Sequence, residues 1–572
     1  MNMNNELTIK IAGEAGQGMQ TVGGALCHVF KDSGFYIFAN QDYMSRIRGG
    51  NNFFQIRISN KQLYTLRQKS DIVVALDNKS VDMHRKDISK EGIVILDKKR
   101  FNITGEDSAF FDIPMYHMAK EIGGDEKFVN SVACGFLAEM TGVDFRYVDK
   151  VLRTAFSDKK KDIIEKNIEA ARAGYDFSIN NFKKDIFKIK KGDAKDTLLM
   201  TAIDAVGLGA IKAGCKFYSA YPMTPATNLT NIMAHYAKRF NMVVEQAEDE
   251  IAAVNMVIGA SFTGVRSMTG TSGGGFALMA EGLSLAGMTE TPIVIYEGQR
   301  PGPATGFPTR TEQGDLDFLI SAGHGEFARL IFSPGSIEEA FYLTVKAFNM
   351  AEKYQIPVII MSDQHLADSY RNVEIFDPDS IKVQRYIVSK EESKNVKNYK
   401  RYQITESGIS PRAIPSWIED PIYADSDEHT EEGHITEDAW IRTMMVEKRF
   451  YKKMAGLSGE IEKPKVFDVE GADCVLIGFG STYGVLSEMK DSIPDKNIGY
   501  IHLPQVWPFP ASDMIELLKG AKKIIVVENN AGAQLARLLK RETGIKATRS
   551  LLKFDGRPFN VDLLIQQIGQ EI

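Results

Sequence analysis

Three stretches of the chain alternate strand-like runs with helix-like patterns, and this alternation constrains the fold more than any other feature. The first opens with "LTIKIAGEAGQGMQTVGGALCHVF", which reads as a strand, a glycine-rich turn and a helix. A second runs from "DTLLMTAIDAVGLGAIKAGCKFYSAYP" to "IPVIIMSD", and a third from "DCVLIGFGSTYGVLSEMK" to "AKKIIVVENNAGAQLARLLK". Apolar strands that alternate with helices are typical of open, largely parallel sheets. We therefore predict an α/β protein with three open-sheet domains.

The length of the chain, 572 residues, also favours several domains, because a single hydrophobic core stops growing well below that size. We predict a first α/β domain at 1–185, a second at 196–375 and a third at 466–572, with a basic linker between the first two. Residues 376–465 are rich in charge, Ser and Pro. They are predicted to form an irregular connection that ends in the helix "WIRTMMVEKRFYKKM".

Charge, hydropathy and cysteine spacing exclude several classes of protein. The net charge is −6, and the lysine clusters alternate with acids, so no nucleic-acid surface is predicted. No apolar run reaches the length of a membrane span, and "MNMNNELTIKIAG" lacks a signal-peptide pattern, so we expect a cytoplasmic protein. The four cysteines lie far apart without a CxxC pair. This argues against a disulfide framework and against an iron–sulfur or zinc–thiolate site within this chain.

The stretch "YPMTPAT" lies between the β-leaning run "GCKFYSAY" and the helical run "NLTNIMAHYAKRF". Pro222 and Pro225 fix the backbone on either side of Thr224 and remove two amide donors. One interpretation is a rigid loop in which Thr224 or Thr227 caps the following helix. The other is a ligand-facing loop that is held in one shape.

Two further loops carry glycines and charges. "GEAGQG" at 13–18 follows a strand and precedes a helix, so it could bind a phosphate, but close strand–helix packing explains it equally well. Arg46 and Arg48 in "SRIRGGNN" could meet a phosphate or carboxylate, or could pair with surface acids. In "GFPTRTEQGDL", Arg310 could bind a carboxylate in bidentate fashion.

An acidic cluster, "EQAEDE", opens an apolar helix in the second block. Carboxylates at a helix start are ordinary, because they interact favourably with the helix dipole. Glu250, however, is followed directly by "IAAVNMVIGA". A carboxyl group at such a junction would be desolvated, which raises its pKa and lets it hold a proton near neutral pH. "TGTSGGG" at 269–275 is predicted to be another turn from a strand end into a helix.

Histidines do not form a convincing metal site. "DEHTEEGHITED" places His429 and His434 among carboxylates, but it lacks a known ligand spacing. A hydrogen-bonded structural loop is the favoured interpretation, and no metal ligand is predicted. For His324 in "SAGHGEF", a partly buried structural histidine is favoured over a catalytic one.

Taken together, these motifs resemble a known family. "GAIKAGCKFYSAYPMTPAT", "EQAEDEIAAVNMVIGAS", "MTGTSGGG" and "PTRTEQGDL" are similar to the α subunit of 2-oxoacid:ferredoxin oxidoreductases. "IAGEAGQG" with "RGG" at 48–50 resembles the γ domain of that family, here fused in front of α. "VWPFP" and "VVENNAGAQLARLL" resemble its transketolase-C-like domain, so the resemblance covers essentially the whole chain in the order of the family.

The resemblance implies roles for individual residues. Residues 196–375 match the domain that binds the pyrimidine ring of thiamine diphosphate, with Glu250 as the activating catalytic glutamate and Glu248 as the alternative. Thr224 would contact the substrate and take part in catalysis, whereas Met223 and Ala226 replace the Ile and Ser usual in the family. The remaining expected contacts are Tyr221, Pro222 and Arg310 for the substrate, and Thr271, Ser272 and Gly273 for the cofactor.

The resemblance also implies partners. This chain lacks the GDG-then-Asn motif that binds Mg²⁺ and diphosphate in related enzymes. A β subunit is therefore expected to bring that site and a [4Fe–4S] cluster, in an (αβ)₂ assembly. The implied reaction is CoA-dependent oxidative decarboxylation of a 2-oxoacid to acyl-CoA, CO₂ and reduced ferredoxin. The favoured substrate is 2-oxoglutarate, followed by pyruvate or branched-chain 2-oxoacids. The alternative is a non-catalytic, nucleotide-binding scaffold subunit.

Overall fold

Apolar, β-branched runs form the strands of three separate sheets. The structure is a computed structural model that describes residues 5–45, 49–183, 185–394, 396–493 and 496–569. The strands are β1 Glu6–Ala15, β2 Tyr36–Asp42, β3 Gly49–Ser59, β4 Ser70–Ala75, β5 Ile88–Leu96, β6 Phe110–Asp112, β7 Leu198–Met200, β8 Phe217–Ala220, β9 Val243–Gln246, β10 Ser267–Thr271, β11 Ile293–Gln299, β12 Leu330–Phe332, β13 Pro357–Asp363, β14 Tyr370–Val373, β15 Lys465–Phe467, β16 Cys474–Phe479, β17 Ile498–Leu503, β18 Gln505–Trp507, β19 Lys523–Glu528 and β20 Arg549–Leu552.

Helices connect most of these strands. They are α1 Met19–Ser33, α2 Asn78–His84, α3 Lys98–Phe101, α4 Met115–Met118, α5 Val129–Met140, α6 Phe145–Ala155, α7 Lys161–Asn181, α8 Ala202–Lys212, α9 Thr227–Phe240, α10 Glu250–Phe262, α11 Gly273–Leu278, α12 Ala280–Met288, α13 Leu316–Ser321, α14 Ile337–Tyr354, α15 Gln364–Asp368, α16 Lys390–Ser393, α17 Ala439–Val446, α18 Lys453–Ser458, α19 Thr482–Ser492, α20 Ala511–Leu517, α21 Gln534–Thr543 and α22 Val561–Gly569. None of the helices in the described part of the chain combines the length and hydropathy that a membrane span requires.

An eight-stranded sheet organises the first of two compact units, which comprises residues 1–200, 368–375 and 560–571. Its strand order is β6-β5-β4-β1-β3-β2-β14-β7. β1 pairs in parallel with β4 on one side and antiparallel with β3 on the other. Ile9 and Ile11 of β1 are fully buried, because one side of the sheet packs against helices.

Two short strands join this sheet from far along the chain. Tyr370 of β14 pairs with Ala39 of β2, and Arg371 of β14 pairs with Met200 of β7. The sequence pattern predicts a single domain at 196–375. Both strands nevertheless belong to the first compact unit, so the exact domain boundaries stay a prediction.

The second compact unit comprises residues 201–367 and 376–559 and holds the other two sheets. The seven-stranded sheet has the order β18-β12-β13-β11-β10-β8-β9, and all its pairs except β12–β18 are parallel. The five-stranded sheet has the order β15-β17-β16-β19-β20 and is parallel apart from β15. The prediction of open, parallel-rich α/β sheets is confirmed.

One apolar core serves both sheets of this unit. Ile295 and Ile359 of the seven-stranded sheet belong to the same buried cluster as Ile477 and Val526 of the five-stranded sheet. The stretch 376–438 is irregular, with α16 as the one α-helix in its described residues. It leads into a helical run in which a π-helical turn, Glu447–Lys452, separates α17 from α18.

Candidate active site

The carboxyl ends of the parallel strands in the seven-stranded sheet meet along one edge. Thr271, the last residue of β10, pairs with Glu297 of β11, and Gln299 at the end of β11 pairs with Asp363 at the end of β13. Ligands of open α/β sheets bind at this edge, outside the carboxyl ends of the strands. The candidate site is therefore built from the segments that follow β8, β9, β10, β11 and β13.

The loop 221–226 lies against these strand ends. The Met223 thioether lies 3.9 Å from the Thr271 hydroxyl. A Cβ added to Gly298 would lie 2.6 Å from the Pro225 ring, so glycine is required for this close approach. The peptide bond between Thr224 and Pro225 is cis. These contacts place Thr224 beside the ends of β10 and β11.

The helix-capping interpretation of this loop is wrong. Helix α9 begins at Thr227 with Ala226 as its N-cap, and no side chain caps it. Neither Thr224 nor Thr227 therefore performs the role that would have made the loop purely structural. Thr224 and Pro222 are half-buried, and Tyr221 is 40% exposed.

Glu250 is the first residue of α10, where the side chain of the N-cap residue Asp249 accepts a hydrogen bond from Ala252 N at 2.7 Å. Asp249 thus performs the ordinary capping, and Glu250 is left free for another role. Its side chain is 2% exposed, whereas Glu248 lies on the surface. Burial raises the pKa of Glu250, as does the neighbouring Asp249 carboxylate, while Arg300 opposes the shift.

The Glu250 carboxyl points towards the turn that starts α11. A Cβ added to Gly275 would lie 2.4 Å from Glu250 Oε1 and 2.1 Å from the Thr271 hydroxyl. Oε1 is buried and has no hydrogen-bond partner in the described part of the chain. A buried polar atom without a partner costs free energy unless a ligand satisfies it. This oxygen therefore indicates a binding site.

The turn from β10 into α11 contains the other three residues predicted to bind the cofactor. Thr271 and Ser272 are fully buried, and the Ser272 hydroxyl has no partner among the described residues. A Cβ added to Gly273 would lie 2.4 Å from Asp315 Oδ2. The structure thus gathers Glu250, Thr271, Ser272 and Gly273 around one turn.

Arg300, which was not singled out from the sequence, contacts the loop 221–226. Its Nη1 donates to the Thr224 carbonyl oxygen at 2.8 Å. Burial lowers the pKa of the guanidinium, and the charges of Asp315 and Glu250 raise it. Its position directly after β11 is the signal that could have identified it, since residues that follow parallel strands face the ligand edge.

In addition to Arg300, three carboxyl groups were not singled out from the sequence. Glu297 is fully buried within β11, and neither of its carboxyl oxygens has a hydrogen-bond partner in the described part of the chain. Asp315 directly precedes α13, and its carboxyl lies against Gly273. Glu312 is half-buried, and its burial together with the nearby Asp315 carboxylate raises its pKa to about 7. A glutamate inside the apolar run "TPIVIYEG" was the available sequence signal, because carboxylates are rare in buried strands.

Arg310 occupies another part of the same loop. Its amide donates to Phe307 O at 3.2 Å, and its Cβ would lie 3.2 Å from a Cβ added to Gly556. The guanidinium-bearing side chain is 9% exposed. The structure thus brings Arg300 to the Thr224 main chain and places Arg310 against the loop that follows β20. A substrate contact of Arg310 stays a prediction.

The five-stranded sheet holds this loop in place. Gln313 N donates to Asn529 O at 2.7 Å, Asn529 N donates to Gln313 Oε1 at 3.0 Å, and Gln313 Nε2 donates to Phe479 O at 2.8 Å. Phe479 ends β16, and Asn529 follows β19. The third block of the sequence therefore positions residues next to the candidate site.

The remaining sequence predictions fall elsewhere. In the first unit, a Cβ on Gly13 would lie 2.3 Å from Gln17 Oε1, so close packing accounts for that glycine. A cavity of about 540 Å³ adjoins the same turn and is lined by residues that include Gly16, Gly18 and Arg100. Arg46 and Arg48 lie outside the described residues.

The histidines have structural surroundings. His429 is fully buried, packs on the Tyr402 ring with centroids 4.0 Å apart, and makes a hydrogen bond of 3.0 Å with Asp427 O. His324 lies on the surface, so the expectation that it is partly buried is wrong. In the described part of the chain, no group of His, Cys, Asp or Glu has the arrangement of a metal site.

Comparison with sequence families agrees with this geometry. Residues 208–448 match the family described as "Pyruvate flavodoxin/ferredoxin oxidoreductase, thiamine diP-bdg". Residues 8–177 match "Pyruvate ferredoxin/flavodoxin oxidoreductase", and residues 472–562 match "Pyruvate:ferredoxin oxidoreductase core domain II". The fold and the site thus define a subunit of a thiamine-diphosphate-binding oxidoreductase.

Relatives specify the family. The α subunit of a 2-oxoacid:ferredoxin oxidoreductase from Sulfolobus sp is 35% identical over 97% of this chain and 95% of its own length. The chain belongs to the 2-oxoacid:ferredoxin oxidoreductase α subunits, which confirms the resemblance and the assignment as part of a multi-subunit enzyme. Subunit KorA of 2-oxoglutarate synthase from Methanothermobacter thermautotrophicus is 32% identical over 64% of this chain and 96% of its own.

A solved structure covers nearly the same length. The 2-oxoglutarate:ferredoxin oxidoreductase from Magnetococcus marinus, with 2-oxoglutarate, coenzyme A and succinyl-CoA bound, matches with a TM-score of 0.92 and 32% identity. The match covers 99% of this chain and 100% of that one.

The residues around Glu250 fit the pyrimidine half of thiamine diphosphate. The unpartnered Glu250 Oε1 is a hydrogen-bond partner for a ring nitrogen, and Gly275 leaves the space beside it that a side chain would fill. Thr271 and the unpartnered Ser272 hydroxyl offer further polar contacts in a buried turn. A flat, aromatic, nitrogen-containing ring requires this combination of buried polar atoms and apolar space.

Proposed function

We propose that the protein catalyses the CoA-dependent oxidative decarboxylation of a 2-oxoacid, with 2-oxoglutarate as the favoured substrate, to acyl-CoA, CO₂ and reduced ferredoxin. The single observation that carries this proposal is the buried, unpartnered Glu250 carboxyl beside Gly275 at the ligand edge of the sheet. Thiamine diphosphate supplies the carbanion chemistry when bound. This chain supplies orientation, a proton-holding group and the substrate loop.

Glu250 holds the proton at this site. Because its pKa is raised, Glu250 stays protonated to a higher pH than an exposed glutamate does. The buried Oε1 can bind a ring nitrogen of the cofactor. Glu248 is exposed, which makes it the weaker candidate for this role. The desolvated position matters because hydrogen bonds and charges are stronger where water is excluded.

Thr224 and Arg300 bind the substrate end that reacts. The Arg300 guanidinium donates to the Thr224 carbonyl, which leaves its other N–H groups able to bind the carboxylate next to the oxo group. The Met223 and Pro225 contacts hold Thr224 in one place, and a reacting geometry tolerates little displacement. We assign Arg310 to the distal carboxylate of a dicarboxylic substrate.

A β subunit completes the enzyme in this proposal. It brings Mg²⁺, the diphosphate site and a [4Fe–4S] cluster, in an (αβ)₂ assembly that passes electrons to ferredoxin. Two observations support it: the chain lacks a cysteine cluster of its own, and relatives over nearly the full length are named as α subunits. The alternative, a non-catalytic scaffold subunit that binds a nucleotide, finds no support in these relatives.

The first experiment measures viologen reduction by the co-purified complex, under anaerobic conditions, with CoA and a panel of 2-oxoacids. CoA-dependent reduction that falls at least about a hundredfold in Glu250→Gln is expected, because general acid–base groups contribute that much. Glu248→Gln is the matched control, since it makes the same chemical change two residues away on the surface. Equal activity of both variants and the wild type would refute the role of Glu250. A complex loaded with cofactor and cluster that oxidises none of the acids would refute the reaction.

A second experiment tests the substrate assignment. Arg300→Gln should lower kcat/KM for every 2-oxoacid, because it removes the partner of the carboxylate that all of them share. Arg310→Gln should lower kcat/KM for 2-oxoglutarate by about tenfold or more and leave pyruvate and 2-oxobutyrate nearly unchanged, as one charged hydrogen bond contributes about 1.5–3 kcal/mol. If Arg310→Gln affects all substrates alike, Arg310 does not select the distal carboxylate.

A further inference from the structure

Asp363, at the end of β13, carries a carboxyl group that no step of the proposed function uses. It is fully buried, and both of its oxygens accept hydrogen bonds. Oδ1 accepts from the Thr311 hydroxyl at 3.2 Å and from Leu366 N at 3.0 Å. Oδ2 accepts from Ser481 N at 3.2 Å and, at the longer distance of 3.5 Å, from Gln313 Nε2. Four donors suit an ionised carboxylate, whose oxygens only accept.

These donors come from three separate segments of the second compact unit. One belongs to α15, two belong to the loop 310–315 that carries Arg310, and one belongs to the turn after β16 of the five-stranded sheet. A Cβ added to Gly480 in that turn would lie 2.8 Å from Gln313 Nε2, so glycine permits the close approach of turn and loop. Asp363 is therefore the point at which all three segments meet.

The Thr311 side chain fixes the backbone next to Arg310. Its hydroxyl donates to Asp363 and also accepts from His365 N at 3.1 Å, so it is held from two sides. Thr311 N donates to Gly556 O at 3.4 Å. Because adjacent Cα atoms are only about 3.8 Å apart, any displacement of Thr311 also displaces Arg310.

We propose that Asp363 is a positioning residue that holds Arg310 in the place where it selects a dicarboxylic 2-oxoacid. Its carboxylate binds the loop 310–315 through Thr311 and Gln313, and it binds the turn after β16 through Ser481. Asp363 acts on the substrate only through Arg310. This role rests on the proposed function, in which Arg310 binds the distal carboxylate.

A purely structural role of Asp363 would have a different consequence. Replacing a carboxylate that only stabilises the fold would lower the amount of folded enzyme, and thus the activity towards every 2-oxoacid alike. Replacing a carboxylate that positions Arg310 changes the preference between substrates, since pyruvate lacks the distal carboxylate that arginine would bind in bidentate fashion.

Hydrogen–deuterium exchange of the assembled enzyme tests the fixed loop without turnover. In Asp363→Asn, an NH₂ group replaces one oxygen and faces other donors, so the hydrogen bonds on that side are lost. The amides of residues 311–315 should therefore exchange about tenfold faster than in the wild type. Glu339→Gln is the matched control, because this buried carboxylate binds Gly335 N at 2.7 Å and His502 at 2.8 Å instead of the loop. Unchanged exchange in Asp363→Asn would overturn the proposal.

Kinetics of the same variants test the positioning role. Asp363→Asn should lower the ratio of kcat/KM for 2-oxoglutarate to kcat/KM for pyruvate by about tenfold, whereas Glu339→Gln should leave this ratio unchanged. Thr311→Val removes one donor and keeps the charge of Asp363, so it should lower the ratio by less, and it replaces Asp363→Asn if that variant does not fold. In the Arg310→Gln background, Asp363→Asn should not lower the ratio further, because the two residues act as one unit. An unchanged ratio in both Asp363→Asn and Thr311→Val, or additive effects with Arg310→Gln, would refute the role.

The two measurements separate this role from the proposed function. If Arg310→Gln leaves the ratio unchanged while Asp363→Asn speeds exchange, the distal-carboxylate contact of Arg310 is wrong, and the positioning role is refuted with it. If Arg310→Gln lowers the ratio while Asp363→Asn changes neither exchange nor ratio, Arg310 keeps its proposed contact and Asp363 has no part in it.

Discussion

At the residue scale, Glu250 shows a conflict between stability and function. Its carboxyl is buried without a hydrogen-bond partner on Oε1, and burial raises its pKa. The folded chain therefore keeps this proton to a higher pH than the unfolded chain. The contribution of Glu250 to stability is fully present below its unfolded pKa and is lost as the pH rises through the folded pKa. Once ionised, the buried carboxylate therefore destabilises the folded chain, although the role proposed for Glu250 requires this buried position.

Glu250→Gln is accordingly expected to raise the melting temperature of the protein at neutral pH while it lowers activity. The gain should shrink in acidic buffer below the ordinary pKa of a glutamate, where the wild-type carboxyl is protonated in both the folded and the unfolded state. Thermal unfolding at the two pH values measures this difference. Glu248→Gln makes the same chemical change at an exposed position and should change the free energy of unfolding by no more than about 0.5 kcal/mol. A lower melting temperature for Glu250→Gln would contradict the expectation.

Some residue assignments were accessible from the sequence and others were not. Glu250 could be singled out because a carboxylate directly precedes an apolar helix. The position of Arg300 after β11 could have marked it as a ligand-facing residue, but the separate places of Arg300 and Arg310 could not be predicted, since they depend on the path of the exposed loop 302–307. Turn residues fix the shape of a loop only locally, whereas its position over the sheet is fixed by distant contacts such as Gln313 with Asn529.

At the element scale, helices α5 and α7 cross at two glycines. A Cβ on Gly135 would lie 1.8 Å from Ala171 O, and a Cβ on Gly174 would lie 2.0 Å from Val132 O. The two backbones thus touch, and no side chain fits between them. This crossing forms part of the buried core of the first unit.

Gly135→Ala and Gly174→Ala are each expected to destabilise the protein by about 1–3 kcal/mol or more, because overpacking forces the helices apart. Gly24→Ala is the matched control. Gly24 also lies inside a helix, α1, but a Cβ there would meet nothing within 4 Å. Alanine should therefore stabilise α1 by about 0.5–1 kcal/mol. Thermal unfolding distinguishes the two signs, and a loss of stability in all three variants would refute the packing argument.

Helix α10 presents a second element-scale feature. After Glu250 it carries no charged residue, although its outer face is exposed at Ile251, Met256 and Gly259 and half-buried at Asn255. Ile251 is 49% exposed and Met256 42% exposed. An uncharged, partly apolar face on the helix that carries the proposed catalytic glutamate suits contact with the β subunit, which the proposed site needs next to the cofactor.

Ile251→Glu should therefore prevent co-purification with the β subunit. It should change the free energy of unfolding of the isolated chain by no more than about 0.5 kcal/mol. Ile179→Glu is matched to it, since Ile179 of α7 is also 49% exposed, and this variant should assemble normally. Pull-down and size-exclusion chromatography report the difference. Normal assembly of Ile251→Glu would exclude this face as the contact.

At the scale of the whole molecule, the sequence pattern is sufficient to predict the apolar strands of the sheets. It is insufficient to predict the strands that join a sheet from far along the chain. Runs such as "DIVVALD" and "IPVIIMSD" predict buried parallel strands, because they are apolar and β-branched over the correct length. β14 contains Arg371 and Asn372 and has no such pattern. It becomes a strand only because β2 and β7 offer hydrogen-bond partners more than a hundred residues away.

The irregular stretch from 376 onwards is attached to the second unit by buried charges. The Glu290 carboxylate, which follows α12, forms ion pairs with Lys448 and Lys453, and all three side chains are at most 1% exposed. Arg401 donates to Glu290 O at 2.7 Å. Burial would raise the pKa of Glu290, but the two lysines and Arg401 hold it well below the ordinary value.

Glu290→Gln is expected to destabilise the protein by about 3–5 kcal/mol, because it leaves two lysine side chains buried without their carboxylate. The matched change in the same stretch is Glu431→Gln, which removes the partially exposed partner of Lys400 at 2.7 Å and should cost less than about 1 kcal/mol. Thermal unfolding at low and high salt measures both, and salt should reduce only the effect at Glu431, since buried charges are poorly screened. If the two variants lose similar stability, the buried charges do not attach this stretch, and the apolar contacts of the helical run 439–458 must do so instead.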